Sequence, residues 1–194
     1  MTLLKTLLAS CLFVACSVAA ADPNVIDQNS PSNTVHMAGF AQNNLAQSFQ
    51  QAASNISGAG IMLQAGVGNQ DTVTISLWDA LPNAGGNMLA SGSTNGTAGT
   101  WSDVFWSPVS ITPDTSYYLV FTGNTSLGIA GNTSNPYSRG QVYANSGYGS
   151  FASYDYTFHT FAAAVPEPET YALMLAGLGL LGGVARRRNK NTVA

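Results

Sequence analysis

The sequence predicts an all-β fold, a jelly-roll-like antiparallel β-sandwich between an N-terminal signal peptide and a C-terminal transmembrane helix. Short segments rich in β-branched and aromatic residues recur about every 8–15 residues from Ala46 onward, with Gly, Asn and Pro turns between them. No segment between the two termini has the period of an amphipathic helix. We therefore expect the sandwich domain at 46–163. Residues 22–45, which are polar and rich in asparagine, are an irregular leader or a first strand.

The first 21 residues predict a secretory signal peptide. Lys5 precedes the apolar stretch 7–18, and Ala19 and Ala21 fit the small-residue positions of a cleavage site. A second interpretation stays open, because the four residues that end at Cys16 weakly resemble a lipobox, which would make this cysteine a lipidated N-terminus. Both cysteines of the chain lie in this segment, so the domain that follows has no disulfide.

The clearest strand signal in the domain lies at 71–78. Val73, Ile75 and Leu77 alternate with threonine and serine, so one face is apolar and the other polar. Weaker signals of the same kind precede and follow it. We expect further strands at 47–50, 60–64, 87–90, 100–106, 109–112, 117–121, 127–130, 141–144 and 154–161.

The charge of the domain excludes several classes of function. Residues 22–164 contain seven aspartates, no lysine and one arginine, Arg139, which gives a net charge of −6. A nucleic-acid-binding protein needs a basic face, so nucleic acid is not an expected partner. Phosphorylated substrates are excluded for the same reason. We expect Arg139 to form an ion pair with an aspartate, Asp155 being the candidate.

The residues suited to catalysis give little support to an enzyme. His36 and His159 are the only histidines, and no Gly-x-Ser-x-Gly elbow accompanies them. A glycosidase needs two carboxylates at a defined separation, for which the sequence offers a set of strand-associated aspartates. That set is Asp71, Asp79, Asp103 and Asp155. We therefore expect no enzyme activity, and a polysaccharide hydrolase stays the alternative.

Metal binding is likewise weakly indicated. The chain has no EF-hand loop and no Cys/His spacing for zinc, so we expect no metal site and no cofactor. One alternative stays open. A structural Ca²⁺ could be held by loop carbonyls together with Asp27, Asp71 or Asp155.

The aromatic residues support the strongest binding hypothesis. Sugar rings stack on exposed tyrosine and tryptophan faces, and binding residues concentrate in loops. Tyr137 and Tyr148 lie in Gly/Asn/Ser-rich segments, where Asn132 and Asn135 add amide groups suited to sugar hydroxyls. We predict these four as glycan-binding residues. The alternative is that most aromatic residues fill the core; the others are Trp78, Trp101, Trp106, Tyr143 and Tyr154.

The C-terminal segment predicts a membrane anchor. Residues 171–185 carry no charge and as a helix would extend about 22 Å, at ~1.5 Å per residue. A bilayer core is about 30 Å thick, so the segment is short, and the following arginines could snorkel to the headgroups. Arg186, Arg187 and Arg188 form a cytoplasmic stop by the positive-inside rule, which leaves the preceding domain outside.

A proline-rich hinge before this segment completes a recognisable pattern. Val165, Pro166, Glu167 and Pro168 precede the Leu/Gly-rich run and the arginines, and 165–190 together resemble a PEP-CTERM sorting signal. The resemblance implies recognition and processing by an exosortase of a Gram-negative bacterium that makes exopolysaccharide. It also implies an inner-membrane intermediate, followed by a place at the cell surface or in the extracellular matrix.

The domain itself carries a second resemblance. The succession of segments 46–49, 73–79, 81–83, 112–120 and 154–161 is similar to small extracellular modules of the choice-of-anchor kind. These modules look like carbohydrate-binding jelly rolls. The resemblance implies a non-catalytic surface or exopolysaccharide-matrix protein that binds glycans. The alternatives are the hydrolase and a self-assembling structural surface protein.

Overall fold

The computed structural model describes residues 24–164 and 172–182, and the first of these ranges contains thirteen β-strands. The strands are β1 (Asn24–Ser30), β2 (Val35–Gly39), β3 (Leu45–Gln50), β4 (Asn55–Ala65), β5 (Gln70–Trp78), β6 (Met88–Thr97), β7 (Trp101–Ser110), β8 (Ser116–Gly123), β9 (Leu127–Asn132), β10 (Val142–Ala144), β11 (Gly149–Phe151), β12 (Asp155–Tyr156) and β13 (Phe158–Ala163). A short 3₁₀ helix, Pro82–Ala84, lies between β5 and β6.

The strands form two antiparallel sheets. Sheet one has the order β1-β13-β4-β9-β12, with β2 paired to β9 and β7 paired to β4. Sheet two has the order β11-β10-β3-β8-β5-β6. Because β3, β4 and β5 alternate between the sheets, local segments of the chain contribute to both layers. The prediction of an all-β antiparallel sandwich is confirmed.

The core lies between the sheets and follows the alternation seen in the sequence. Val73, Ile75 and Leu77 of β5 are fully buried, and Thr72 and Thr74 on the opposite face of the strand are exposed or partly exposed, although Ser76 on that face is buried. Phe49 of β3 and Phe158 of β13 meet from opposite sheets with ring centroids 6.5 Å apart. Burial of such large apolar side chains, worth roughly 25 cal/mol per Å², stabilises the sandwich without a disulfide.

The segment before Ala46 belongs to the sandwich. β1 pairs with β13 and β2 pairs with β9, so an irregular leader at 22–45 is the wrong alternative and the domain begins before residue 46. The sequence does not reveal that these strands belong to the sandwich, because many of their residues are polar. The β1 strand lies at the edge of its sheet, where Gln28 and Ser30 point inward and Val25 and Ile26 are exposed.

Glycines in β4 let side chains of the two flanking strands meet across it. His159 of β13, Gly60 of β4 and Asp103 of β7 are register partners in adjacent strands. Because Gly60 has no side chain, His159 Nε2 reaches within 2.7 Å of Asp103 Oδ1. The Trp101 ring stacks on the imidazole at 4.1 Å. This bridge ties the edge strand β7 to the sheet.

The C-terminal described segment is a short helix, α1, at residues 172–182. Its leucines are exposed. We expected a transmembrane helix at 171–185. Among residues 24–164 and 172–182, however, no helix is both long and apolar enough to cross a membrane. The membrane anchor therefore stays a prediction, and residues 171 and 183–185 of the predicted span lie outside the described residues.

The glycine bridge yields a stability prediction. In Gly60→Ala the new Cβ would lie within 3.0 Å of both His159 and Asp103, so the pair must separate. We expect the free energy of unfolding to fall by about 1–3 kcal/mol, as for other overpacked sites. Urea denaturation of residues 24–164 measures it. Gly39→Ala is the control, because its Cβ would meet neighbours only at 4.0 Å. Equal stability of both variants would contradict the prediction.

Candidate functional site

Tyr137 does not lie on the surface, so its predicted role as a glycan platform is wrong. The residue is 7% exposed, and its ring packs edge-on against Phe158 with centroids 5.1 Å apart. Its hydroxyl donates to Gln28 Oε1 at 2.8 Å and accepts from the backbone N–H of Gln50 at 3.2 Å. The ring is thus a core side chain with a satisfied hydroxyl, and neither face is free to meet a sugar.

The two predicted asparagines are engaged by their own loop. Asn132 is buried, donates to Ser32 Oγ at 2.6 Å and accepts from the backbone of Ser134 at 2.7 Å. Asn135 is exposed and adopts a left-handed conformation. With its amide nitrogen turned inward, Asn135 donates to Asp155 Oδ2 at 3.2 Å. These side chains hold the loop in place, which leaves them little capacity for a ligand.

The centre of this loop network is the buried carboxylate of Asp155. Gln47 Nε2 donates to its Oδ1 at 2.9 Å, and the backbone N–H of Tyr137 donates to its Oδ2 at 3.0 Å. Burial raises the pKa of Asp155, and these two hydrogen bonds oppose the rise. The expected ion pair between Arg139 and Asp155 is wrong. Arg139 bonds Asp114 instead, on the exposed surface.

Tyr148 is the predicted glycan residue that stays accessible. It lies in the turn between β10 and β11, is partly exposed, and has a left-handed φ of 54°. Its backbone N–H donates to the carbonyl oxygen of Asn145 at 3.1 Å. Asn83 Nδ2 donates to the carbonyl oxygen of Gly147 at 2.8 Å, which ties the turn to the 3₁₀ helix. The β10–β11 hairpin is therefore a braced element.

A cavity of about 230 Å³ lies beside this hairpin, and we call it the hairpin pocket. Its walls come from both sheets, at the side of the sandwich formed by β2, β10, β11 and β12. The lining contains apolar side chains and uncharged polar ones: Met37, Gln42, Val142, Ala144, Asn145, Phe151, Tyr154 and Tyr156. Concave sites of this composition, largely apolar with a few polar groups, are the usual form of small-molecule sites.

Two stacked aromatic rings form one wall of the hairpin pocket. Phe151 and Tyr154 lie with ring centroids 5.7 Å apart and planes at 13° to each other. Each residue is 36% exposed, so part of the pair faces solvent. Sequence reasoning counted Tyr154 among the available aromatics and missed Phe151. The sequence does contain a signal for this pair. Two aromatic residues lie three positions apart among Gly, Ser and Ala, which offer few large apolar side chains to bury them.

The candidate catalytic side chains do not assemble a reactive centre around a histidine. The imidazole of His159 is buried beneath Trp101 and held by Asp103. His36 is exposed on β2 and lies over Gly128. Asp79 binds the backbone and side chain of Asn87, and these hydrogen bonds lower its pKa. A general acid needs the opposite shift.

The calcium hypothesis finds no cluster to support it in the described part of the chain. Residues 24–164 and 172–182 hold no group of three His, Cys, Asp or Glu side chains suited to a metal ion. Asp27 accepts from the backbone N–H groups of Ala52 and Ala53, and Asp71 accepts from Asn124 and Thr72. Calcium binding thus stays a prediction.

Comparison with known protein families identifies the C-terminal segment. Residues 164–189 match the PEP-CTERM protein-sorting motif. The chain carries a PEP-CTERM sorting signal. This confirms the resemblance seen at 165–190 and indicates an exported protein of a Gram-negative-type cell with an exosortase as its processing partner. No curated protein and no solved structure matches the chain.

Several predictions about the two ends of the chain fall on residues outside the described ranges. They concern the signal peptide with Ala19 and Ala21, the alternative at Cys16, the sorting residues Val165, Pro166, Glu167 and Pro168, and the stop residues Arg186, Arg187 and Arg188. The sorting and stop residues all lie within the matched motif. The signal peptide stays a prediction.

The buried carboxylate yields a pH prediction. Because the folded pKa of Asp155 lies above its ordinary value of 3.8, the folded state keeps this proton at pH values where the unfolded state has lost it. The free energy of unfolding should therefore rise as pH falls from 7 to 4, because the folded state binds this proton more tightly than the unfolded state does. Asp155→Asn should remove that gain, and denaturant titrations across this range measure it.

Asp79→Asn is the control for this experiment. The pKa of the Asp79 carboxylate is lowered, so this group stabilises the folded state above pH 3.8 and loses that effect only at more acidic pH. The control should keep the gain between pH 7 and 4. A wild-type minus Asp155→Asn difference that stays constant with pH would show that Asp155 titrates normally.

Proposed function

We propose that this exported protein is a non-catalytic glycan-binding component of the cell surface or exopolysaccharide matrix, and that the hairpin pocket is its binding site. The sorting signal supports the location, because a PEP-CTERM protein is exported and processed by an exosortase. The domain then meets polysaccharide and other surface proteins outside the cell. The hairpin pocket supports the activity, since it combines an aromatic wall with uncharged polar groups.

The stacked pair Phe151 and Tyr154 is the observation that carries this proposal. A pyranose ring presents a face of C–H groups, and aromatic faces attract that surface. Gln42 and Asn145, both exposed at the pocket, supply amide donors and acceptors for the hydroxyl groups around the ring.

The proposed absence of catalysis rests on the same residues. No carboxylate or histidine lines the hairpin pocket among the described residues. Cleavage of a glycosidic bond needs two carboxyl groups beside the bond. The lining residues can therefore hold a sugar and cannot supply a general acid and a nucleophile or base. This favours a binding protein over the hydrolase alternative.

The aromatic pair gives the direct test of the proposed function. Phe151→Ala and Tyr154→Ala, each in residues 24–164, should weaken binding to the producing bacterium's exopolysaccharide about tenfold or more. The reason is that the loss of one aromatic stacking partner costs ~1–3 kcal/mol where bases stack on protein rings, and we expect a similar scale for a sugar ring. Retention on an affinity gel and titration calorimetry measure the change. The fragment is suitable because both sheets lie within it.

Phe105→Ala is the matched control. Phe105 is 52% exposed on β7 and packs against Phe161, outside the hairpin pocket. This variant should bind as the wild type does. Equal loss in all three variants would assign binding to general surface hydrophobicity, and a wild type that binds no glycan would reject the proposed function.

The sorting signal gives a separate prediction. Replacing Pro166, Glu167 and Pro168 with alanines should leave the unprocessed full-length chain in the inner membrane, because the processing enzyme would lose its recognition sequence. Two closely spaced prolines hold the backbone extended, as a processing enzyme requires. Immunoblots of membrane and extracellular fractions measure the outcome. Normal release of the triple variant would overturn the prediction, and the Phe151→Ala variant, which keeps the signal, should be processed normally.

A further inference from the structure

One of the residues that line the hairpin pocket carries a buried hydroxyl group that the fold leaves unpaired. Tyr156 lines the pocket and is fully buried, and its hydroxyl has no hydrogen-bond partner among the described residues. The ring is held edge-on against Phe121, with centroids 5.5 Å apart and planes at 85°. Buried polar groups nearly always have partners. An exception beneath a cavity therefore points to a partner that comes from outside the chain.

The electrostatics of the pocket select an uncharged partner. Its described lining includes no charged side chain. The domain carries one cationic side chain, Arg139, which is bonded to Asp114, against seven aspartates. A carboxylate-bearing sugar would lose its hydration in the pocket without gaining a cation, which costs free energy. A neutral sugar avoids this cost.

The size of the pocket limits how much of a glycan it can hold. Its volume of about 230 Å³ is below the roughly 300–1,000 Å³ of common ligand sites. At ~30 Å³ per water molecule, it has room for about eight waters, which is the scale of one pyranose ring. A sugar inside a linear chain brings two neighbouring sugars to the site, whereas the last sugar of a chain brings one. The small volume therefore favours a chain end.

We infer that the hairpin pocket binds the terminal residue of an uncharged glycan chain, with a sugar hydroxyl group paired to the hydroxyl of Tyr156. The sugar face lies against the Phe151 and Tyr154 pair. Because the Tyr156 hydroxyl is buried, this inference includes a side-chain movement at the pocket, and Met37, which also lines it, has a flexible side chain suited to that movement. This inference rests on the proposed function and adds the ligand class and the residue that recognises it.

Tyr156→Phe tests the inference, because it removes one oxygen atom and keeps the ring. Since that hydroxyl has no partner in the fold, its loss should leave the thermal midpoint of residues 24–164 equal or higher. Binding should weaken about five- to tenfold. Binding is measured by calorimetry with the exopolysaccharide and by competition with D-glucose, D-galactose, D-mannose and D-glucuronate at pH 7. A neutral monosaccharide should compete and glucuronate should not.

Each other outcome overturns the inference in a distinguishable way. If Phe151→Ala abolishes binding and Tyr156→Phe binds like the wild type, the proposed function stands and the role of Tyr156 is rejected. If the polysaccharide binds but neither a neutral monosaccharide nor a chain-terminal fragment competes, the pocket does not take a chain end. If glucuronate competes as well as the neutral sugars, the assigned ligand class is wrong. If the wild type binds no glycan, the proposed function fails as well.

Discussion

The side chain of Gln47 connects the two sheets by hydrogen bonds beside the hairpin pocket, and the positions of the strands around the pocket depend on these bonds. From β3 in sheet two, its amide nitrogen donates to Asp155 Oδ1, and its amide oxygen accepts from the backbone N–H of Tyr156 at 2.9 Å. Both partners lie on β12 in sheet one. Val142 of β10 is the register partner of Gln47. One buried amide thus lies between two strands, β10 and β12, that each contribute lining residues to the same pocket.

This arrangement explains why a buried carboxylate without a cation is tolerated. Asp155 is surrounded by N–H donors from Gln47, from the backbone of Tyr137 and from Asn135. Desolvation still raises its pKa, so at neutral pH the charge costs stability. The hydrogen bonds around Asp155 instead hold β3 and the loop between β9 and β10 against β12.

The sorting signal and the sandwich domain are separate in sequence. The matched motif begins at residue 164, after β13 has completed sheet one. All strand pairs of both sheets lie before it. The exosortase therefore acts on a segment that contributes no strand to the described sandwich. Processing can then proceed without disturbing the hairpin pocket, and the same tail could sort domains of other kinds.

The sequence by itself determined the sandwich, the charge class and the sorting signal, because each depends on local pattern or composition. The alternation in β5 fixed which residues face the core, and residues 164–189 carry their signal in linear order. Sequence reasoning also predicted Tyr148, in the β10–β11 turn, as a glycan-binding residue, and the structure leaves this side chain partly exposed. The predictions that failed concern residues whose burial or strand pairing depends on partners far away in the sequence.

Tertiary structure alone decided which aromatic residues are free. Tyr137 and Tyr154 both sit in loops rich in small polar residues, yet Tyr137 is buried because its hydroxyl finds Gln28, 109 positions away. Tyr154 stays exposed because it stacks on Phe151 at the side of the sandwich. The polar strand β1 was hidden for the same reason, since its pairing with β13 spans almost the whole domain. Such contacts leave no trace in a local window, because they depend on which strands the fold brings together.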